Sequence, residues 1–207
     1  MSLMQDAPSF HRNKGPMLEV LSSLLIGDDK NILEVASGSG QHGPYFTNAL
    51  TNLTWWPTDI NPAALASIRA WRTHLDAGSV KPPQQLDVTS QQWRMGNGST
   101  DWPDRFDCIL SMNMIHIAPY EATTGLIEGA SQYLHETGKL VLYGPFKRHG
   151  KHTAPSNEAF DLSLQGRDPG WGIRNLEDVI EIAASNNLAH QQIIEMPANN
   201  LVVVFER

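Results

Sequence analysis

A glycine-rich turn near the start of the chain constrains its fold more strongly than any other sequence feature. The turn, Gly38-Ser39-Gly40-Gln41-His42-Gly43, follows the apolar run 31–36 (NILEVA) and precedes a stretch of helical character that reaches Leu50. Glycines let a backbone pass close to a ligand or to another chain segment. A buried strand, a glycine-rich turn and a helix in this order are typical of the first βαβ unit of an α/β protein.

Short apolar runs alternate with amphipathic stretches along the rest of the chain, which favours a parallel sheet with helices between its strands. Strands are predicted at residues 31–36, 53–59, 84–88, 105–112, 139–143, 190–196 and 201–206. Helices are predicted at 17–26, after the glycine-rich turn, and at 61–75, 120–135, 157–164 and 175–187. The connection 197–200 is too short for a crossover helix, so the last two strands must be antiparallel. The predicted fold is α/β: a Rossmann-like, seven-stranded, mostly parallel sheet with helices on both faces and a C-terminal antiparallel β-hairpin.

Composition argues against several classes of protein. The 207 residues suffice for one large domain, predicted over 4–207, with residues 1–3 interpreted as a vector remnant. Fifteen basic against 22 acidic residues give a net charge of −7, which argues against a nucleic-acid partner. The single cysteine, Cys108, cannot form an internal disulfide or a thiolate zinc cluster, and the eight histidines form no recognisable ligand set. No apolar run approaches the ~18 residues that span a bilayer. We therefore expect a cytoplasmic protein without a metal or a membrane partner.

The glycine-rich turn is compatible with two kinds of ligand. Its GxGxxG spacing, with Asp59 placed 21 residues after Gly38 at the end of the next strand, fits the dinucleotide fingerprint. Glu34 inside the preceding strand counts against this interpretation, because a carboxylate repels a pyrophosphate and attracts an ammonium group. A structural carboxylate paired with a helix N-terminus is the other explanation of Glu34, since burial of an unpartnered charge is costly.

The segment 34–40 (EVASGSG) resembles the (E/D)-x-G-x-G-x-G motif of class I S-adenosylmethionine (SAM)-dependent methyltransferases. Ala36 stands where that family usually has glycine, and we expect an alanine there to keep an ordinary φ. More closely, the chain resembles a small methyltransferase-like family known mainly as a domain of unknown function. The segments that carry this closer resemblance are 12–14 (RNK), 113–117 (NMIHI), 171–174 (WGIR) and 196–201 (MPANNL).

The resemblance implies SAM as the cofactor and assigns a set of binding residues. Asp59 matches the residue that holds the ribose, Asp87 the one that contacts adenine, and Asn113 lies where the reactive end of the cofactor is reached. Arg12 is expected to pair with the cofactor carboxylate. The full predicted set is Glu34, Ala36, Gly38, Gly40, Asp59, Asp87, Asn113, Arg12 and Asn13. Simple turn or cap roles are the alternatives for Asp59, Asp87 and Asn113.

His116 is the first candidate for a catalytic base, with Asp161 and Tyr143 as more distant ones. It follows the fourth predicted strand, at the edge where ligands of α/β sheets bind, and its ordinary pKa lies near neutrality. A packing histidine is the alternative.

Residues 144–174 form the longest aperiodic segment and are interpreted as a lid insertion that selects the acceptor. The candidate substrate residues in it are Lys147, Arg148, Trp171 and Arg174. Its cations suit an anionic small molecule, and a solvated loop is the alternative.

Taken together, these features predict a SAM-dependent methyltransferase that acts on a small-molecule acceptor. A non-catalytic SAM-binding regulatory module is one alternative, and an NAD-dependent oxidoreductase is another. The acceptor itself cannot be read from the sequence.

Overall fold

The computed structural model of the chain describes residues 3–28, 30–93 and 102–207. Of the predicted vector remnant at 1–3, residues 1 and 2 lie outside this description. Within the described residues, no helix is both long and apolar enough to span a bilayer.

The chain forms a seven-stranded mixed sheet, and the predicted fold class is confirmed. The main strands are β1 (Lys30–Val35), β2 (Leu53–Asp59), β3 (Gln84–Gln85), β4 (Phe106–Met112), β5 (Leu134–Gly144), β8 (Ala189–Met196) and β9 (Asn200–Glu206), and the short strands β6 (Lys147–Arg148) and β7 (Lys151–His152) form a separate hairpin. The helices are α1 (Pro8–Leu24), α2 (His42–Ala49), α3 (Pro62–His74), α4 (Tyr120–Tyr133), α5 (Pro155–Gln165) and α6 (Leu176–Ser185). The sheet order is β3-β2-β1-β4-β5-β9-β8, with β2 parallel to β1 and β3, and β9 antiparallel to β5 and β8.

Internal contacts divide the chain into two compact units, with the boundary inside β4 after Cys108. The first unit comprises Met1–Asp87 and Arg94–Cys108 and contains β1–β3, α1–α3 and the first residues of β4. In β2 every residue except Thr54 is buried, as expected for a parallel strand covered on both faces. The adjacent side chains of Trp55 and Trp56 are both core residues.

The second unit comprises Val88–Trp93 and Ile109–Arg207. Its core includes β9, in which the central residues Leu201, Val202, Val203, Val204 and Phe205 are all buried. A 3₁₀ turn, Pro197–Asn199, joins β8 to β9, and this confirms the antiparallel hairpin that the short connection predicted. The organisation of 4–207 as a single domain stays a prediction.

Element boundaries differ from the predictions where the local signals were ambiguous. Helix α1 begins at Pro8, and Pro16, predicted as its start, lies inside it. Both prolines fit a helix start, and only the burial of Phe10 and Asn13 shows that the first turns belong to the helix. Strand β3 is shorter than predicted, and the β6–β7 hairpin was missed because two-residue strands leave no detectable periodicity.

Candidate functional site

The loop after β1 adopts three left-handed backbone conformations within five residues. Their φ values are 58° at Ala36, 57° at Gly38 and 84° at Gly40. The expectation of an ordinary φ at Ala36 is therefore wrong. The tight turn imposes the left-handed conformation on this residue, although an L-residue with a Cβ adopts it at a cost of roughly 1 kcal/mol.

Replacing Ala36 by glycine is expected to raise the free energy of unfolding by about 0.5–1 kcal/mol, because glycine adopts this φ without strain. Ala70 in α3 is a matched control, since glycine inside a helix should cost about 1 kcal/mol. Chemical denaturation of both variants checks the prediction. A less stable Ala36→Gly protein would contradict it.

Asp59 holds the glycine-rich loop at the end of β2. Its Oδ2 accepts a hydrogen bond from the backbone N–H of Gly38 (2.9 Å), and its Oδ1 accepts one from Asn61 (2.8 Å). Burial raises the pKa of Asp59 although these backbone donors act in the opposite direction. The N–H of Leu86 donates to the Asp59 carbonyl, which places Asp87 one residue beyond this contact. The first unit therefore brings Gly38, Asp59 and Asp87 to one edge of its strands.

Glu34 faces protein groups beneath the loop. The residue is 2% exposed, and its Oε2 accepts a hydrogen bond from Trp55 Nε1 (2.9 Å). Its Oε1 lies 3.6 Å from Nδ1 of His42. Burial raises the pKa of Glu34 to about 7, and burial lowers the pKa of His42 to about 4. In this geometry Glu34 supports the loop from below through a buried pair that the sequence reasoning missed.

The N-terminal helix joins the same buried network through Asn13. His42 Nε2 and Asn13 Oδ1 are 3.0 Å apart, and Asn13 Nδ2 is buried without a hydrogen-bond partner within the described parts of the chain. Arg12, by contrast, is exposed. Of the two predicted N-terminal binding residues, the structure therefore brings only Asn13 into contact with the network below the loop.

In the second unit, Asn113 and His116 lie together after β4. Asn113 has a φ of 59°, and its N–H donates to the carbonyl of Tyr143 (2.8 Å). A Cβ built on Gly144 would lie 2.8 Å from His116 Cε1 and 3.8 Å from Asn113 Oδ1, so Gly144 makes room for both side chains. His116 is 2% exposed, and its Nδ1 is buried with no partner among the described residues. Burial, assisted by the charge of Arg174, lowers the pKa of His116 to about 4.

The predicted substrate cations of residues 144–174 are engaged with protein carboxylates. Lys147 Nζ lies 2.7 Å from Asp161 Oδ2, and Arg148 Nη2 lies 2.7 Å from Glu195 Oε1. Arg174 is buried and donates to backbone carbonyls, and Trp171 is partly buried. The structure thus gives three of these four residues protein partners.

Asp161 is a poor second candidate for a base. Burial raises its pKa, but the Lys147 hydrogen bond, the Ile173 N–H and the charges of Lys147 and His152 outweigh this effect and hold the pKa below its usual value. His152 Nε2 lies 3.3 Å from Asp161 Oδ2. In the described part of the chain no cluster of three or more histidine, cysteine or acidic side chains is placed to hold a metal ion.

Residues 4–207 match the model of a family described as a protein of unknown function, DUF938. The chain belongs to this family. This match confirms the closer of the two resemblances found in the sequence, that to a methyltransferase-like family of unknown function.

Solved methyltransferase structures share the fold of this DUF938 chain. An O-methyltransferase family protein from Burkholderia thailandensis superposes with a TM-score of 0.77 at 16% identity, over 96% of this chain and 57% of its own. Human N-acetylserotonin methyltransferase in complex with SAM superposes with a TM-score of 0.74 at 10% identity, over 96% of this chain and 52% of its own. An O-methyltransferase family 2 protein from Planctomyces limnophilus in complex with apigenin superposes with a TM-score of 0.70 at 16% identity, over 94% of this chain and 61% of its own. The chain therefore spans a little more than half the length of these proteins, and the likeness concerns the fold.

A cavity of about 550 Å³ lies in the first unit, and its lining includes none of the predicted cofactor residues. Its walls include Phe10, Gln41, Tyr45, Asn48, Trp71 and Asp76. The amide of Gln41 is already bonded at both ends, to the N–H of Ala7 and to Asp6. None of the glycines of the loop, nor Asp59 or Asp87, lines this cavity.

Proposed function

We propose that this DUF938 chain is a SAM-dependent methyltransferase acting on a small-molecule acceptor. One observation carries the proposal: the left-handed loop after β1 is tied to the carboxylate of Asp59 through the Gly38 N–H. Among the described residues, a Cβ on Gly38 would meet no atom within 4 Å beyond its chain neighbours, so the loop borders open space at this point. The fold shared with SAM-dependent enzymes supports the same assignment.

The residues of the first unit suit a ligand that carries hydroxyl groups. The two oxygens of Asp59 together offer about four acceptor sites and receive the backbone N–H groups of Gly38, Asn61 and Ile60. The carboxylate can therefore still accept a hydrogen bond from a ribose hydroxyl. Asp87 follows Leu86, whose N–H donates to the carbonyl of Asp59, and Asp87 is proposed to contact the adenine. When bound, SAM supplies a methyl group activated by a sulfonium. The Asn13 amide nitrogen, which has no hydrogen-bond partner among the described residues, is proposed as a donor to a ligand oxygen.

His116 is proposed to accept the acceptor's proton. Its low pKa keeps the imidazole neutral at physiological pH, so a nitrogen lone pair is available. A weak base is sufficient here, because an O–H or N–H becomes much more acidic as its heavy atom gains a methyl group.

We further propose that the acceptor is uncharged. An anionic acceptor bound by Lys147 and Arg148 would have to compete with Asp161 and Glu195, which already pair with these cations. Two exposed apolar side chains lie near His116. Ile117 is the next residue in the chain, and the ring of Phe160 contacts the imidazole. An acceptor with an apolar body and one hydroxyl or amine fits these surroundings better than an anion does.

The test is a comparison of ligands by thermal unfolding. S-adenosylhomocysteine at 100 times its dissociation constant should stabilise the protein by about 2.7 kcal/mol, a rise in Tm of roughly 5–10 °C, while NAD should give none. A shift with NAD alone would instead indicate an oxidoreductase. Formation of S-adenosylhomocysteine from SAM with a panel of uncharged acceptors then separates an enzyme from a non-catalytic binding module.

Asp59→Ala is the variant that ties this binding to the site. It should weaken S-adenosylhomocysteine binding by about 1.5–3 kcal/mol in calorimetry, the usual range for hydrogen bonds to a charged group. Asp28→Ala, an exposed carboxylate in the same unit, is the matched control and should bind as the wild type does. Equal affinity of the two variants would show that Asp59 only caps the loop.

A further inference from the structure

We infer that Arg174 is a positioning residue: its guanidinium fixes the loop 113–118, so that His116 stays in one orientation beside Gly144. The inference rests on the proposed function, in which His116 accepts the acceptor's proton. It differs from the sequence-based prediction, which placed Arg174 among the residues that bind the acceptor.

The donors of Arg174 are directed at backbone carbonyls on both sides of His116. Nε donates to the carbonyl of Ile115 (2.8 Å), and Nη2 donates to that of Ala118. A further contact of Nη2 reaches the carbonyl of Gly170 at 3.4 Å. One rigid, planar group thus holds the residue before His116 and the second residue after it, a geometry that suits arginine better than lysine.

The segment that carries Arg174 also contacts His116 itself. The N–H of Gly172 donates to the His116 carbonyl (3.0 Å), and the ring of Phe160 meets the imidazole edge-on with 5.8 Å between centroids. Asp161 Oδ1 accepts from the N–H of Ile173 (2.7 Å) and so anchors the same stretch. The strap 160–174, as we name these residues, therefore holds the His116 loop through backbone bonds, a ring contact and a guanidinium.

Arg174 forms no ion pair with a carboxylate among the described residues, although Asp161 and Glu121 act on its charge from farther away. Its Cζ lies 5.1 Å from the centroid of the Tyr120 ring. The charged groups that act on His116 are Arg174, which favours the neutral imidazole, and Asp161, which opposes it and is itself paired with Lys147 and His152. Arg174 therefore holds the loop around His116 in place, and its charge adds to the effect of burial in keeping the imidazole neutral.

The experiment compares Arg174→Met, Arg174→Lys and the control Arg167→Met, which removes an exposed cation from the same strap. Histidine titration by NMR, with the His116 signal assigned through His116→Gln, reports the charge state. Hydrogen exchange of the peptide 113–118 reports the positioning. Calorimetry with S-adenosylhomocysteine reports whether the cofactor site is intact.

We expect the His116 signal of the wild type and of Arg167→Met, titrated from pH 3.5 to 8, to have its midpoint near pH 4. In Arg174→Met its midpoint should rise by roughly one unit or more, since a neighbouring positive charge is lost. Exchange in 113–118 should be at least tenfold faster in both Arg174 variants than in Arg167→Met. Arg174→Lys keeps the charge and replaces the methionine variant if that variant does not fold. Hydrogen exchange of 113–118 at the wild-type rate in Arg174→Lys would overturn the inference. So would an unchanged His116 titration in folded Arg174→Met. Failure of the wild type to bind S-adenosylhomocysteine would overturn the proposed function alone, since the other two readouts do not use the cofactor.

Discussion

Replacing Gly40 by alanine is expected to lower the free energy of unfolding by about 3–4 kcal/mol, since the added methyl group has no room and the backbone is strained. A Cβ atom there would lie 2.5 Å from Cα and 2.7 Å from Cγ1 of Ile68 in α3. A backbone atom cannot rotate away, so the loop or the helix must shift. The φ of 84° adds strain that glycine does not have. Urea denaturation of the purified protein measures the loss.

Gly38→Ala is the matched control for Gly40→Ala. Its φ is also positive, at 57°, but in the described part of the chain no atom beyond its neighbours lies within 4 Å of the new Cβ. The expected loss of stability is only about 1 kcal/mol. Because the methyl group enters the open space beside the loop, S-adenosylhomocysteine binding should weaken at least about tenfold, or 1.4 kcal/mol. Equal stability of the two variants, or unimpaired binding by Gly38→Ala, would contradict this account of the loop.

Glu34→Ala is expected to lower the free energy of unfolding by about 3–5 kcal/mol, because it leaves a cavity and an unpaired indole donor. The donor is Trp55 Nε1, whose partner is the Glu34 carboxylate at 2.9 Å. Glu34→Gln keeps an oxygen for this bond and should cost less than about 1 kcal/mol. A small loss in the alanine variant would mean that Glu34 does not support the loop.

The Glu34–His42 pair also predicts opposite pH dependences for two variants. The pKa of Glu34 is raised from 4.5 to about 7, so its contribution to stability is complete below pH 4.5 and is lost as the pH rises towards 7. The pKa of His42 is lowered from 6.5 to about 4, so its contribution is complete above pH 6.5 and is lost as the pH falls towards 4. In the wild type the two trends largely cancel between pH 5 and 7.

Removing one partner exposes the dependence of the other. From pH 5 to 7, Glu34→Gln should gain about 2 kcal/mol of stability relative to the wild type, and His42→Gln should lose about as much. Denaturation of all three proteins at the same series of pH values measures these differences, in which other titrating groups cancel. Parallel curves for the two variants would contradict the assignment of the buried pair.

Local sequence patterns determined most of the fold. Strand β2 was predicted at 53–59 and is found at Leu53–Asp59, because aromatic and β-branched residues between turn signals favour a strand. Asn61 caps α3 by accepting from the N–H of Ala63, as its position before Pro62 indicated. The antiparallel β8–β9 hairpin followed from the length of its connection. The glycine-rich loop and Asp59 were likewise located from spacing alone.

Only the tertiary structure decided what the polar side chains of the candidate site contact. The partner of Glu34 is Trp55, which lies 21 positions away, and the partner of Arg174 is the carbonyl of Ile115, which lies 59 positions away. Sequence periodicity reports which face of a strand or helix is apolar, but it contains no information on which distant donor meets a buried acceptor. For the same reason the left-handed φ of Ala36 could not be foreseen, since the turn around it, and not the preference of alanine, fixes that conformation.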